Sequence, residues 1–443
     1  MSRLKTVCKP IEIQANAPNI SSDGGILLLK EVDKRHRLTE RMAACLVDSR
    51  RGEVKHTLVK LLRQRAYAIA MGWEDCNDFD ALCQDPLYQF VLGSRPASQS
   101  TLSRFENWAD SKSVYRMSVE MVDIFVERQK IRHPKRIVID IDATVDPTHG
   151  QQQYQLFNGF YDCHCYLPLL IFGSCDGRPM EILSAVLRPG NAPSGKRAAA
   201  ILRRVARRLR DAYPKTKILV RADAGFSSPE FYKTCEDLGL EYLVAMQGNA
   251  VLDREAEPTM VLARAERDKT KEAARLYTEF SYAAGSWDKK RRVIVKAEAL
   301  PGKAAEVLPG GKTSKATPCK DNCRFVVTNL SKDPQALYGI YCLRGESENR
   351  IKELKLDLAS GRTSCHTFIA NAFRLMLHAL AFCLSSMIRD HLDGTCLFKC
   401  TVGQIRLKFL KMAAIIEEST RRILIRLPRG HPHVFLLIKV TSA

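Results

Sequence analysis

The chain has 443 residues, 45% hydrophobic and 27% charged, which excludes a disordered polyelectrolyte and is too long for one ordinary core, so two or three domains are expected. Lys and Arg number 69 against 49 Asp and Glu, giving a net charge of +20 that draws phosphate polymers and makes their binding salt-dependent. The fifteen cysteines are scattered, and neither Cys163-His-Cys165 nor Cys319-Lys-Asp-Asn-Cys323 has a second pair at zinc-finger spacing, so they read as free thiols in a reducing cytoplasm.

In chain order, the first ten residues lack the apolar run of a signal peptide. Residues 24–128 read as mostly helical. Leu58, Leu61, Leu62, Arg65, Ile69 and Ala70 keep helical spacing, and Gly72 ends that run. A second helical stretch covers about 77–92. The segment 93–100 is a turn, and Thr101 opens another helix with Ser100 as its N-cap. This is compatible with a helix-turn-helix reader in which Arg104 contacts DNA; the alternative is an ordinary helical bundle.

From 135 the texture changes to apolar strands at 137–142, 165–173 and 181–187. A helix at 196–211, a strand at 217–223, a helix at 229–238 and a strand at 241–246 follow. Early strands without helices, then strand-helix alternation, predict a mixed sheet and an α/β fold. Arg203, Arg204, Arg207, Arg208 and Arg210 form a ridge expected to meet phosphate, against the alternative of a solvated face. Residues 250–335 read as an insertion, mostly β, with strand-like pieces at 276–283, 291–297 and 323–329. Helices resume at 336–358 and 364–389. The apolar helix 367–388 carries Asn371, Arg374 and His378, so it reads as a core helix and not a membrane span. A basic tail, about 402–427, is expected to be helical. The expected division is a helical DNA-binding region 1–130, a core 131–249 and 336–395, the insertion 250–335 and the tail 396–443.

Three acids carry the chemistry. Asp142 ends the strand Ile137-Val-Ile-Asp-Ile-Asp142, with Asp140 on the same face as its understudy. Asp223 ends the strand Lys217-Ile-Leu-Val-Arg-Ala-Asp223, ahead of Ala224-Gly225. One such Asp is usually a turn or cap residue; two on adjacent strands, with a suitable helix, point to a site. On a continuous helix with Ile340 at zero, Tyr341, Arg344, Glu348 and Lys355 fall near ~100°, ~40°, ~80° and ~60°. Lys352 borders that face, while Ile340, Leu343, Ile351, Leu354 and Leu358 form the core-facing stripe. Three converging carboxylates suit hard divalent cations. The alternative is a solvated face with an i,i+4 pair such as Glu348 and Lys352.

The spacing Tyr341-x2-Arg344-x3-Glu348-x6-Lys355 resembles the Y-R-E-K signature of bacterial insertion-sequence DDE transposases. The wider strings resemble the insertion-sequence group thirteen-eighty, among them Ser22-Asp-Gly-Gly25, Ser100-Thr-Leu-Ser-Arg-Phe-Glu-Asn107, Phe157-Asn-Gly-Phe-Tyr161 and Arg221-Ala-Asp-Ala-Gly-Phe226. The resemblance runs from about residue 20 to 390. It implies an RNase H-like catalytic core interrupted by a β-rich insertion, with Asp142, Asp223 and Glu348 holding two Mg2+ or Mn2+ ions. It implies cleavage at the element's ends and strand transfer into target DNA, by a dimer on double-stranded DNA in a bacterial cytoplasm. Tyr341, Arg344 and Lys355 match positions that grip DNA phosphates. Trp287, beside a basic run, matches an aromatic on which a flipped base stacks, the alternative being a core Trp. Rival readings are a DNA-binding protein without catalysis, such as a repressor-like copy, and an RNase H-like nuclease without strand transfer.

Overall fold

The computed structural model describes residues 2–5, 10–16, 19–193, 195–302 and 317–442. The chain divides into two compact units, one of residues 121–147 and 155–351, the other of 1–120, 148–154 and 352–443.

The first unit is built on an eight-stranded mixed sheet. Its strands are β1 (Arg136–Ala143), β2 (Leu169–Cys175), β3 (Glu181–Val186), β4 (Lys217–Ala222), β5 (Glu241–Met246), β6 (Ala274–Tyr282), β7 (Arg291–Leu300) and β8 (Lys320–Thr328), in the order β6-β7-β8-β5-β4-β1-β2-β3. β1, β4 and β5 run parallel, and the remaining neighbours are antiparallel. The central strands are buried apolar runs, as in Ile137, Ile139 and Ile141 of β1 and Ile218 and Val220 of β4. Such side chains each contribute about 1.5–3 kcal/mol on burial. Parallel pairing of β1 with β4 brings their C-terminal ends side by side.

Helices cover the sheet: α1 (Ala198–Ala212), α2 (Pro229–Asp237), α3 (Ala250–Thr270), α4 (Pro334–Cys342) and α5 (Gly345–Lys352). In α1, Ala198, Leu202, Val205, Ala206 and Leu209 recur at helical spacing and join the core cluster. α2 starts with Pro229 at its first position and Ser228 Oγ accepting from Phe231 N–H.

Two sequence expectations need correction in this unit. The segment from 250 is not mostly β at its start, because α3 takes its first twenty-one residues, capped by Asn249 Oδ1 on the Val251 and Leu252 N–H groups. Its strands extend the central sheet, in which β8 pairs with β5. The expected continuous helix 336–358 is broken. α4 stops at Cys342, α5 begins at Gly345, and Glu353–Asp357 winds as a π-helical turn. Gly345, a weak helix former, sits at the break. Leu343, expected in the core stripe, is therefore 64% exposed.

The second unit is mainly helical, with Leu58–Met71 and Phe368–His391 at its centre. Leu58–Met71 ends at Gly72, whose φ of +90° is the left-handed conformation glycine accepts without strain. Phe368–His391 is long and apolar enough to cross a membrane by composition, yet 83% of its most apolar stretch is buried in the protein. Its polar stripe has internal partners: Asn371 with both backbone groups of Cys365, Arg374 with Glu106, and His378 Nδ1 with the Leu358 carbonyl. This helix lies in the unit of the N-terminal helices, not with the sheet as the expected segment 336–395 would have it.

The expected helical tail is helical at Val402–Leu410 and strand beyond it. Ala414–Glu418 pairs with Ile423–Arg426 and with Ile20–Ser21, so the N-terminal region, expected from the sequence to be all-α, also supplies a strand. Asp23 anchors this arrangement by accepting from Trp73 Nε1 at 2.6 Å and Lys411 Nζ at 2.7 Å. A Cβ on Gly25 would stand 2.3 Å from Leu410 Cα, so the string Ser22-Asp-Gly-Gly25 is a packing clasp. The described cysteines are free.

Candidate active site

The parallel register of β1 and β4 pairs Asp140 with Arg221 and Ile141 with Ala222. One residue further, the two strands deliver Asp142 and Asp223 at the same edge of the sheet. Asp223 uses one oxygen, Oδ1, to accept the Gly225 N–H at 2.8 Å, capping the short 3-10 turn Ala224–Phe226. Its bland role as a cap and its place beside Asp142 therefore coexist.

Asp140 is not a second site acid. Its two oxygens take Nε and Nη2 of Arg221, both at 2.7 Å, and Arg221 Nη1 donates to the Ile340 carbonyl at 2.9 Å. Burial pushes the Asp140 carboxyl up, and Arg221 works against that rise. This fully buried pair ties β1 and β4 to α4.

Arg344 ties the third acid in. Its Nη1 donates to Asp142 Oδ2 at 2.7 Å and its Nη2 to Glu348 Oε1 at 2.9 Å. Asp142 is almost buried, whereas Glu348 is half exposed. Burial raises Asp142 to about 6; the charges of Asp223 and Glu348 add to the rise and Arg344 opposes it. Asp223 is also raised, by burial and by Glu348, against the Gly225 N–H and Arg344. Burial works against the Arg344 guanidinium, but Asp142, Tyr341, Glu348 and Asp223 together hold it above the ordinary arginine range. Tyr341 is half-buried beside Arg344, and burial raises its hydroxyl.

Among the described residues, no group of three or more His, Cys, Asp or Glu side chains is gathered as a ready metal site. The donors still fit a hard cation. All are carboxylates, and two, Asp142 and Asp223, are pushed toward the protonated form by burial and by neighbouring carboxylate charge. The positive charge that relieves them here is the Arg344 guanidinium.

A family model described as the transposase DDE domain group 1 matches residues 5–443. The chain belongs to this family. Comparison with curated proteins finds no match. The chain is thus a DDE transposase by family, in a class of metal-dependent, nucleic-acid-processing enzymes that bind DNA.

The other residues expected at DNA are placed unevenly. Lys352 and Lys355 belong to the mainly helical unit, as does Arg104. Arg104 is exposed on the helix Gln99–Glu106, which follows Pro86–Leu92 after a turn at Gly93. The cap of that helix is Ser98, not Ser100. On α1, Arg203 donates to Thr234 Oγ1 at 3.0 Å, Arg204 to Ser184 Oγ at 3.2 Å, and Arg208 pairs with Asp123. Arg210 donates to the Thr216 and Gly239 carbonyls. Most of the ridge therefore braces the fold, while Arg207 is exposed.

Trp287 packs against the core with Tyr232 and Tyr282 edge-on at 5.1 and 5.5 Å, and the Arg291 guanidinium 5.5 Å from its ring. This is the environment of the core-Trp alternative. An aromatic that the sequence reading left without a role stands by the acids instead. Burial and then the charges of Asp142 and Asp223 raise the Tyr161 hydroxyl. The cluster of aromatic residues in the glycine-containing turn 157–161 was the available signal.

Proposed function

We propose that the chain cleaves DNA phosphodiester bonds at the ends of an insertion sequence and transfers the 3′-OH ends into target DNA, with Asp142, Asp223 and Glu348 as the catalytic, cation-holding set. The observation that carries this reading is the Arg344 bridge between Asp142 and Glu348, with Asp223 close enough to act on the charge of both Asp142 and Arg344. The order β3-β2-β1-β4-β5, antiparallel then parallel, supports an RNase H-like core.

Asp142, Asp223 and Glu348 would hold two Mg2+ or Mn2+ ions. When bound, such a pair activates a water or a DNA 3′-OH and stabilises the leaving oxygen of an in-line displacement. Asp142 would hold a cation in its ionised form, which burial disfavours in the metal-free protein. Arg344 presents a forked donor suited to a DNA phosphate once it leaves the carboxylates. Tyr341 lies beside it, and Lys352, Lys355, Arg104 and the exposed Arg207 are further candidates for phosphate contact. Two ends must be paired for transfer, so the working form is a dimer on double-stranded DNA, acting in a bacterial cytoplasm.

The test is incubation with supercoiled DNA bearing the cognate ends and Mg2+. End-specific cutting that disappears in Asp142→Asn, Asp223→Asn and Glu348→Gln supports the reading. Cutting that survives in all three removes the site, and end-specific binding without metal-dependent cutting favours a silent DNA-binding protein.

A further inference from the structure

The connection from β3 to α1 does not loop out into solvent; it folds back onto the turn that follows Asp223. Its residues, Arg188-Pro-Gly-Asn-Ala-Pro-Ser-Gly-Lys-Arg197, are drawn in by three backbone bonds. The Ala192 N–H donates to the Pro189 carbonyl at 3.0 Å, Lys196 to Pro193 at 2.9 Å and Ala198 to Gly195 at 3.0 Å. The start of the segment is fixed as well, because Pro189 bridges to Tyr166 and Asn158 Nδ2 donates to the Gly190 carbonyl at 2.7 Å.

Arg188 holds this segment from inside. It is only 5% exposed, and burial lowers its guanidinium to about 10, so the fold keeps this charge inside at a cost. Its Nε donates to the Leu167 carbonyl at 2.9 Å, and its Nη1 to the Pro193 and Lys196 carbonyls at 3.3 Å. Leu167 returns its N–H to the Arg188 carbonyl at 3.0 Å and leads into β2, where Leu170 faces Asp142 across the ladder. One buried side chain therefore links the strand opposite Asp142 to the turn 193–196.

Gly195 carries that link to the other aspartate. A Cβ on Gly195 would stand 2.9 Å from the Gly225 carbonyl oxygen and 3.8 Å from Phe226 Cα, so only glycine lets the two backbones meet. Gly225 is the residue whose N–H holds Asp223 Oδ1 at 2.8 Å. A shift of Gly225 therefore moves the donor that orients the carboxylate. With Oδ1 committed, Oδ2 is the oxygen left for a cation. Arg197 closes the segment at a φ of +59°, a left-handed conformation that is unfavourable with a Cβ and persists where surrounding contacts fix the backbone.

We propose that residues 188–197 form a positioning buttress, in which Arg188 and Gly195 hold the Ala224–Phe226 turn so that Asp223 offers a single oxygen to the cations it shares with Asp142 and Glu348. The buttress rests on the reading of those acids as the cation-holding set. Neither Arg188 nor Gly195 touches the reacting atoms; both act through the Gly225 N–H.

The experiment is calorimetric titration of the full chain with Mn2+ in the absence of DNA, on variants first shown to unfold cooperatively. Gly195→Ala should bind Mn2+ about tenfold more weakly than wild type, the scale on which partners of metal-binding side chains act. Arg188→Lys should weaken binding in the same direction, because one ammonium cannot span the carbonyls that the guanidinium fork gathers. In an Asp223→Asn background Gly195→Ala should cause no further loss, since it works through that acid. Wild-type Mn2+ affinity in folded Gly195→Ala or Arg188→Lys overturns the proposal. So does a loss from Gly195→Ala that is undiminished in the Asp223→Asn background, which would make the segment a brace of the fold alone. Failure of the cation-site reading shows separately, as an Asp223→Asn variant that binds Mn2+ as tightly as wild type, and it takes the proposal with it.

Discussion

Arg344 and Asp142 are joined by a 2.7 Å charge-assisted hydrogen bond, and the same guanidinium reaches Glu348 at 2.9 Å. The cation and the acid come from opposite ends of the unit's sequence. The pair leaves Asp142 neutralised by protein charge, so a metal ion entering here competes with the guanidinium. Arg344→Ala should therefore bind Mn2+ several-fold more tightly than wild type in the absence of DNA, by calorimetric titration, while binding DNA more weakly. Weaker or unchanged Mn2+ affinity contradicts this competition.

The pH dependence follows from Asp142, whose folded pKa of about 6 lies above its ordinary value near 3.8. A carboxyl raised on folding stabilises the fold below its unfolded pKa, and that contribution is lost as pH rises through the folded one. Between about pH 4 and pH 6 the metal-free wild type should lose stability relative to Asp142→Asn. At pH 7 the variant should be the more stable by about 1–3 kcal/mol, less whatever the weakened bond to Arg344 removes. Chemical denaturation of both proteins across that range is the measurement, and parallel profiles would count against a raised Asp142. Mn2+ affinity should rise with pH through the same interval, because the cation must displace the proton of Asp142.

A buried ionic network should make the helical unit sensitive to one acid. Glu106 accepts from Arg65 at 2.8 Å and pairs with Arg374 at 3.2 Å, all three nearly inaccessible. Glu106→Gln takes the counter-ion from buried Arg65 and leaves Arg374 with Asp75 alone, at 3.4 Å, and should cost about 3–5 kcal/mol. A thermal unfolding midpoint within a degree or two of wild type would show that the network carries little.

Trp287 packs against Tyr232, Tyr282 and Arg291, so Trp287→Ala should lower the denaturation midpoint, at about 1–3 kcal/mol. A midpoint equal to that of wild type would contradict its place in the core.

The strand-end acids were legible because each closes a buried apolar run, and parallel pairing then forces them together. Glu348 was legible from its four-residue spacing to Arg344, which survives the break at Leu343 because both residues lie on its C-terminal side. The wheel failed for Leu343, since helix arithmetic holds only where the helix is continuous. α3 was hidden by its charge and by Pro258, which sits inside it. The helical start of the tail, Val402–Leu410, was legible; the strand Ala414–Glu418 was not, because besides its hairpin partner Ile423–Arg426 it pairs with Ile20–Ser21, at the far end of the sequence, a pairing that no local pattern records. The arginine ridge on α1 was visible as charge, but its bonds to Thr234, Ser184 and Asp123 depend on tertiary neighbours.

The central claim is that Asp142, Asp223 and Glu348 share cations at the bond to be cut. Anomalous diffraction from crystals of the protein with end DNA and Mn2+ tests it most directly. Mn2+ density contacted by all three carboxylates is expected, with Arg344 swung away from Asp142. Density elsewhere in the protein, or Arg344 still bridging Asp142 and Glu348 in an active complex, would contradict it.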